Sequence, residues 1–129
     1  MTPGDVLETQ TYDIRRADLV RYAAASGDDN PIHQDEAVAQ SVGLPGVIAH
    51  GMFTMALAAR AVATWTGGAK VVELGCKFTR PVVVPADGAV AITVGGTVKS
   101  VQDGLVTLVL EVTSEGQKVL GMPKAVVRA

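Results

Sequence analysis

Residues Met52 to Trp65 read M-F-T-M-A-L-A-A-R-A-V-A-T-W, with Thr54, Arg60 and Thr64 as the only polar interruptions. Alanine and unbranched apolar side chains lose little freedom on entering a helix, so a helix is expected here. Apolar residues fall on all of its sides, which predicts a helix buried all round. It falls short of the roughly 20 residues that cross a bilayer, so what encloses it must come from the rest of the chain.

That enclosure is legible downstream. From Ala69 the pattern changes to strands over Lys70–Phe78, Ala89–Val101, Leu105–Thr113 and Lys118–Val127. In the third, Val106, Leu108, Leu110 and Val112 alternate against Leu105, Thr107, Val109 and Glu111, giving two faces that both carry apolar groups. Asp103-Gly104 and Glu115-Gly116 fit hairpin turns, and Pro81, Pro85 and Asp87-Gly88 form a longer bend. Pro123 argues that the last strand is an edge or contains a bulge.

Upstream, Thr9 to Ile14 suits a short strand, and a helix is expected from about Arg16 to Ala25. Leu19, Tyr22, Ala23 and Ser26 share one face of that helix; Asp18 suits its dipole and Gly27 its left-handed end. A second short helix begins at Gln34 or Asp35 and runs to about Val42, before Gly43, Pro45 and Gly46 break it. The expected fold is α+β: one domain over 1–129, an antiparallel meander of about four strands wrapped around a buried helix.

A chain of 129 residues can build its own core without disulfides. Cys76 is the only cysteine, which excludes an internal disulfide and a multi-cysteine zinc site and makes a reducing cytoplasm the expected setting. The opening M-T-P-G-D-V-L-E has no leader pattern, and no membrane insertion is expected. A net charge of −2 argues against a nucleic-acid partner. Hydrophobic residues make up 48% of the chain and leave apolar surface to spare, favouring an oligomer or an apolar ligand tunnel.

The chemistry concentrates between Tyr22 and His33, which read Y-A-A-A-S-G-D-D-N-P-I-H. Gly27, Asn30 and Pro31 make this an ordered loop leaving a helix, and Asp28 and His33 can face each other across it. A carboxylate and an imidazole so placed can give and take protons. Taken alone, the same pair is more often a turn and a helix cap. Asp29 reads as a solvated charge, and Asp35 and Glu36 as first-turn residues of the next helix. A metal site drawn from His33, Asp28, Asp29 and Asp35 lacks a second histidine at ligand spacing, so no metal is expected. His50 reads as a buried, hydrogen-bonded group positioning the start of the long helix, and Cys76 as an inert strand residue.

With A-H-G-M at Ala49–Met52 and F-T-R-P-V at Phe78–Val82, the loop string resembles the MaoC-like, R-specific hydratase/dehydratase family. The phrasing around D-L-V-x-Y-A, G-D-x-N-P-I-H and I-A-H-G-M is similar to that of catalytic B-type subunits of mycobacterial (3R)-hydroxyacyl dehydratases. This resemblance implies the hot-dog fold, a curved antiparallel sheet wrapped around a long central helix. It also implies action, without a cofactor, on (3R)-3-hydroxyacyl and trans-2-enoyl thioesters of coenzyme A or acyl carrier protein.

Carried over by position, the resemblance makes Asp28 and His33 the catalytic pair and Asn30 a support of their loop. The backbone N–H of Gly51 becomes an oxyanion donor, with a second donor between Val47 and His50. Free N–H groups and the positive helix end agree with that assignment. Met52, Met55, Ala59 and Val62 at helical spacing are foremost core residues, and some of that face would line the acyl tunnel, with Phe53, Leu57 and Trp65 as further candidates. Lys70, Lys77, Arg80 and Lys99 are either solvated or placed to meet phosphates of the carrier. Single hot-dog domains of this kind pair as dimers, so a homodimer or a heterodimer with another hot-dog subunit is expected.

Two departures stand out. Arg15 occupies the position where relatives often have a Thr helix cap, a loss of about 1 kcal/mol that Asp18 partly offsets. P-A-D-G at Pro85–Gly88 replaces the more usual P-G-D, which alters a loop and not the chemistry. Two other functions compete. A hot-dog thioesterase would place a carboxylate on or near the central helix, and no Asp or Glu occurs between Gly51 and Trp65. A non-catalytic acyl-binding subunit would have no need of the Asp28–His33 pair.

Overall fold

The computed structural model describes residues 1–129. Strand β1 (Val6–Ile14) leads into helix α1 (Arg16–Ser26), a 3-10 turn (Pro31–His33), the short helix α2 (Glu36–Ser41) and the long helix α3 (Gly51–Thr66). The remainder is β2 (Lys70–Phe78), β3 (Val90–Gln102), β4 (Leu105–Ser114), β5 (Gln117–Lys118) and β6 (Leu120–Arg128). All pairings are antiparallel and the sheet order is β1-β3-β4-β6-β2, with β5 beside β4.

The expected meander holds only for β3, β4 and the strands that follow them. Although β2 precedes β3 in the chain, it lies at the far edge against β6. The connection between them is too long for a tight hairpin, and it has pairing of its own. The Ala49 N–H donates to the Val82 carbonyl and the Val84 N–H to the Val47 carbonyl, each at 2.9 Å. Tight hairpins do form where Asp-Gly and Glu-Gly predicted them. Asp103, Gly104, Glu115 and Gly116 all have positive φ, as such turns require.

One face of the sheet and one side of α3 make the core. Val90, Ile92 and Val94 of β3 and Val106, Leu108, Leu110 and Val112 of β4 are buried against Leu57, Ala58, Ala61 and Val62 of α3. The two small alanines let the helix approach the sheet closely. Each fully buried Val or Leu contributes about 1.5–3 kcal/mol.

Burial of α3 all round does not occur: Met52, Ala56, Arg60, Ala63 and Thr64 are exposed. The sheet covers one side of the helix, and the other side is so rich in alanine that its exposure leaves little apolar area in water. At the far end, the Trp65 indole N–H donates to the Glu8 carbonyl at 2.6 Å. Glu8 lies in a bulge of β1, between the pairs Leu7–Gly96 and Gln10–Val94, where the ladder leaves that carbonyl available.

Pro123 lies in an interior strand, because β6 runs between β4 and β2. Its other predicted sign, a bulge, is present. Pairing steps from Gly75–Lys124 to Lys77–Gly121, so β6 spends one more residue than β2, and Met122 has φ 45°. Pairing of β6 with β4 stops at Val109–Lys124, one residue short of Pro123, so the missing proline N–H falls outside that ladder. A second irregularity lies earlier, where Val71–Val127 is followed by Glu73–Val126 and β2 carries the extra residue.

Candidate active site

The loop after α1 is built from its own polar groups. Gly27 ends the helix at φ 78°, its N–H donating to the Ala23 carbonyl at 2.9 Å. At the other end of α1, the Arg15 N–H donates to the Asp18 carboxylate at 2.8 Å, so Asp18 supplies a contact in place of the missing cap. Asn30 caps the 3-10 turn: its side-chain oxygen accepts the Ile32 N–H at 3.2 Å, and its own N–H donates to the Asp28 carboxylate at 3.3 Å. Pro31 is the first residue of the turn, where no N–H is needed.

This turn delivers His33 to the interior. Its Nδ1–H donates to the Ile48 carbonyl at 2.7 Å, which fixes the tautomer and leaves the Nε2 lone pair free. The Ile48 N–H returns a bond to the Ile32 carbonyl at 3.2 Å, so loop and segment are laced together. Two residues on, His50 caps α3 through its backbone, whose carbonyl accepts from Phe53 and Thr54. The Gly51 amide makes no backbone hydrogen bond, and it stands at the positive end of a 16-residue helix.

His50 is 1% exposed and reaches back to the loop, its Nε2–H donating to the Asp28 carbonyl at 3.0 Å. Its ring stacks on His33 with centroids 3.8 Å apart and planes 22° from parallel, and Tyr22 packs against it at 4.7 Å. Burial holds the His50 imidazole below its ordinary pKa; the nearby His33 adds to this, while the Asp28 carbonyl and carboxylate oppose it. Its Nδ1 is buried without a partner.

In the chain, no second histidine stands near His33, but the fold supplies one. A carboxylate oxygen of Asp28 and one ring nitrogen each of His33 and His50 lie within 4.8 Å of one another. Stacked rings direct their in-plane lone pairs side by side and not toward a common point, which is poor geometry for a tetrahedral ion. For proton transfer the spacing is apt: one hydroxyl or water can bridge groups that far apart with two ordinary hydrogen bonds.

Asp28, His33 and Gly51 open on one cleft of about 410 Å³, walled also by Thr54, Phe78 and Arg80. Of the helix residues expected along a tunnel, Met52 lines it and Phe53, Met55, Leu57 and Trp65 do not. Helix geometry explains this. Thr54, three residues after Gly51, faces the cleft, whereas Phe53 packs edge-on against Tyr22 at 5.2 Å and Trp65 lies at the opposite end of α3. Among the four cations, Arg80 borders the cleft and is held by the Gln117 side chain at 3.0 Å; Lys70, Lys77 and Lys99 do not border it.

Residues 1–116 match the MaoC like domain. The chain belongs to that family. A solved MaoC-like dehydratase superposes with a TM-score of 0.95 at 38% identity, over 99% of this chain and 40% of that one. The R-hydratase PhaJ1 from Pseudomonas aeruginosa gives 0.86 at 29% identity, over 99% and 82%. Among characterised sequences, 3-hydroxyacyl-thioester dehydratase X of Mycobacterium tuberculosis is 39% identical over 82 residues, which are 64% of this chain and 29% of that protein. The chain thus spans under a third of the length of that mycobacterial relative. The MaoC-like sheet and helix described above form the hot-dog fold.

Three features of this MaoC-like cleft escaped the sequence reading. The Ile48 carbonyl that orients His33 is a backbone atom, to which side-chain patterns are blind. Phe78, 57% exposed at the end of β2, was expected as part of a strand and of the F-T-R-P-V string with no role at the site, yet its ring covers the Gly51 backbone. His50 was expected to position the helix start; its contact with the Asp28 loop depends on a fold that brings residues 22 positions apart together.

Proposed function

We propose that this chain catalyses the reversible dehydration of (3R)-3-hydroxyacyl thioesters to trans-2-enoyl thioesters, as an R-specific hydro-lyase of fatty-acid metabolism. The observation that carries the reading is the convergence of Asp28, His33 and the unpaired Gly51 amide on one cleft. Names borne by relatives point the same way: 3-hydroxyacyl-thioester dehydratase X and the R-hydratase PhaJ1.

Dehydration removes a proton from C2 and a hydroxide from C3, so it needs one base and one acid. In this reading the Asp28–His33 pair provides both, with His33 exchanging its proton through Nε2 because Nδ1 is committed to Ile48. One member takes the C2 proton, the other protonates the departing hydroxyl, and water leaves; hydration runs the same steps backwards. As C2 loses its proton, negative charge gathers on the thioester oxygen. The Gly51 N–H at the start of α3 offers it a hydrogen bond, a contribution that typically reaches about 10²–10³-fold in rate. No cofactor is needed, since one side chain takes a proton, another gives one, and there is no net oxidation or reduction.

The acyl group is carried by coenzyme A or an acyl carrier protein, and the active form is a dimer, either of two such chains or with another hot-dog subunit. Edge strand β2 supports pairing: Val71, Val72 and Phe78 are exposed along an unpaired sheet edge. Hydration is followed as loss of ultraviolet absorbance when a trans-2-enoyl coenzyme A thioester meets the purified protein. Loss of that activity in Asp28→Asn and His33→Ala supports the reading, and activity unaffected by both substitutions refutes it. Release of free thiol in its place would identify a thioesterase.

A further inference from the structure

We propose that His50 is a positioning residue, whose neutral ring ties the Asp28 backbone to the start of α3 while stacking on His33. The inference rests on the reading of Asp28 and His33 just given and adds what holds them in place. Every residue from Ser26 to Pro31 is exposed, and the Asp28 carboxylate is bonded within the protein only by the Asn30 N–H at 3.3 Å. A loop so open does not fix a carboxylate to the few tenths of an ångström that proton transfer demands.

His50 has the contacts to do so. It is almost fully buried, it precedes Gly51 in the chain, and its Nε2–H bonds the Asp28 carbonyl at 3.0 Å. The same ring lies 3.8 Å from that of His33, so one rigid group touches each member of the pair and is covalently joined to the oxyanion donor. Tyr22, Asp28 and His33 are the titratable groups packed against it.

The unpartnered Nδ1 fits this assignment. Only the Nε2–H tautomer can serve Asp28, and it leaves a bare lone pair on Nδ1. Protonating that atom would bury an N–H with no acceptor and put a second positive charge against His33 whenever His33 holds its own proton. His50 therefore stays neutral while His33 cycles.

Two substitutions separate the donor from the ring. His50→Phe keeps a flat ring against His33 but cannot bond the Asp28 carbonyl. His50→Gln carries an amide N–H near the Nε2 position and no ring. For hydration of a short-chain trans-2-enoyl coenzyme A, His50→Phe is expected to lower kcat about a hundredfold with KM little changed, and His50→Gln to recover about tenfold of that loss. Where His50→Phe fails to fold, His50→Asn, whose shorter amide cannot reach the Asp28 carbonyl, takes its place.

The chain has two histidines, so imidazole nitrogen NMR reads the tautomers without substrate. The Nε2–H form of His50 should persist in the free protein at neutral pH. Wild-type kcat in both variants, a Gln variant no better than the Phe or Asn variant, or an Nδ1–H form of His50 would each overturn the inference. Asp28→Asn keeps the two readings apart. If it loses activity while the His50 variants do not, only the positioning role fails; if it keeps activity, the site itself fails.

Discussion

The Phe78 ring occupies the space that a side chain on Gly51 would need. A β-carbon at position 51 would stand 3.0 Å from the nearest ring atom, closer than neighbouring carbons settle. Crowding at position 51 comes from this neighbour, which would have to give way by a few tenths of an ångström, and not from the backbone angle, since the φ of Gly51 is not among the positive ones. Gly51→Ala should therefore displace the ring and disturb the amide, lowering kcat about ten- to a hundredfold. Gly51→Ala combined with Phe78→Ala should recover most of the loss in the enoyl hydration assay. A double variant as slow as Gly51→Ala alone would mean that the ring is not the cause.

The pH dependence of stability follows from His50. Its folded-state pKa lies below the ordinary 6.5, so below that pH the unfolded chain binds a proton that the folded chain refuses. The stability this contributes is complete above 6.5 and declines as pH falls toward the lowered folded value. Denaturant melts across the acid range should show a shallower decline in His50→Gln than in the wild-type chain. Equal slopes would show that another group governs acid unfolding.

Arg16 fastens three segments of the chain together. Its Nε–H donates to the Val84 carbonyl and its Nη2 meets the Glu36 carboxylate, each at 3.0 Å, so one side chain joins α1, α2 and the connection to β3. Arg16→Met should cost about 2 kcal/mol, chiefly through the charged bond to the carbonyl. Glu36→Gln should cost under about 1 kcal/mol, because the ion pair is partly solvated. Urea midpoints measure both, and equal costs would contradict this division.

Trp65 separates stability from activity. Trp65→Phe removes the hydrogen bond to Glu8, at about 1 kcal/mol, and with it the outer indole carbons that pack against Gly96, which adds the cost of a void. Its kcat should match that of the wild-type chain, because Trp65 does not line the cleft. A changed preference for acyl length in this variant would return Trp65 to the substrate path.

What the sequence made legible was whatever depends on local chemistry. Gly27, Asn30 and Pro31 specify their loop through backbone preferences, and Asp103-Gly104 specifies its hairpin through the left-handed angles it adopts. The alternation in β4 marked two faces, and the structure buries the one that carries Leu108 and Leu110. Strand order was not legible. Nothing in Lys70–Phe78 says that its partner is β6, because that choice depends on how the later strands curl over α3. For the same reason, rotation of the helix about its axis decided that Thr54 faces the cleft and Met55 does not, and an apolar-all-round pattern carries no information on that angle.

The two irregularities in the β2–β6 ladder cancel. Val72 is surplus on β2 and one residue near Pro123 is surplus on β6, so pairing regains its first register by Lys77–Gly121 and Phe78–Leu120. Each bulge holds its extra residue out of the ladder, so losing Val72 or the surplus residue near Pro123 alone would straighten that strand and keep the pairs on either side, Phe78–Leu120 included. Losing both together would leave the ring where it stands. The position of the ring over Gly51 is therefore insulated from strand length at these two points, and a single deletion at either bulge should leave it in place.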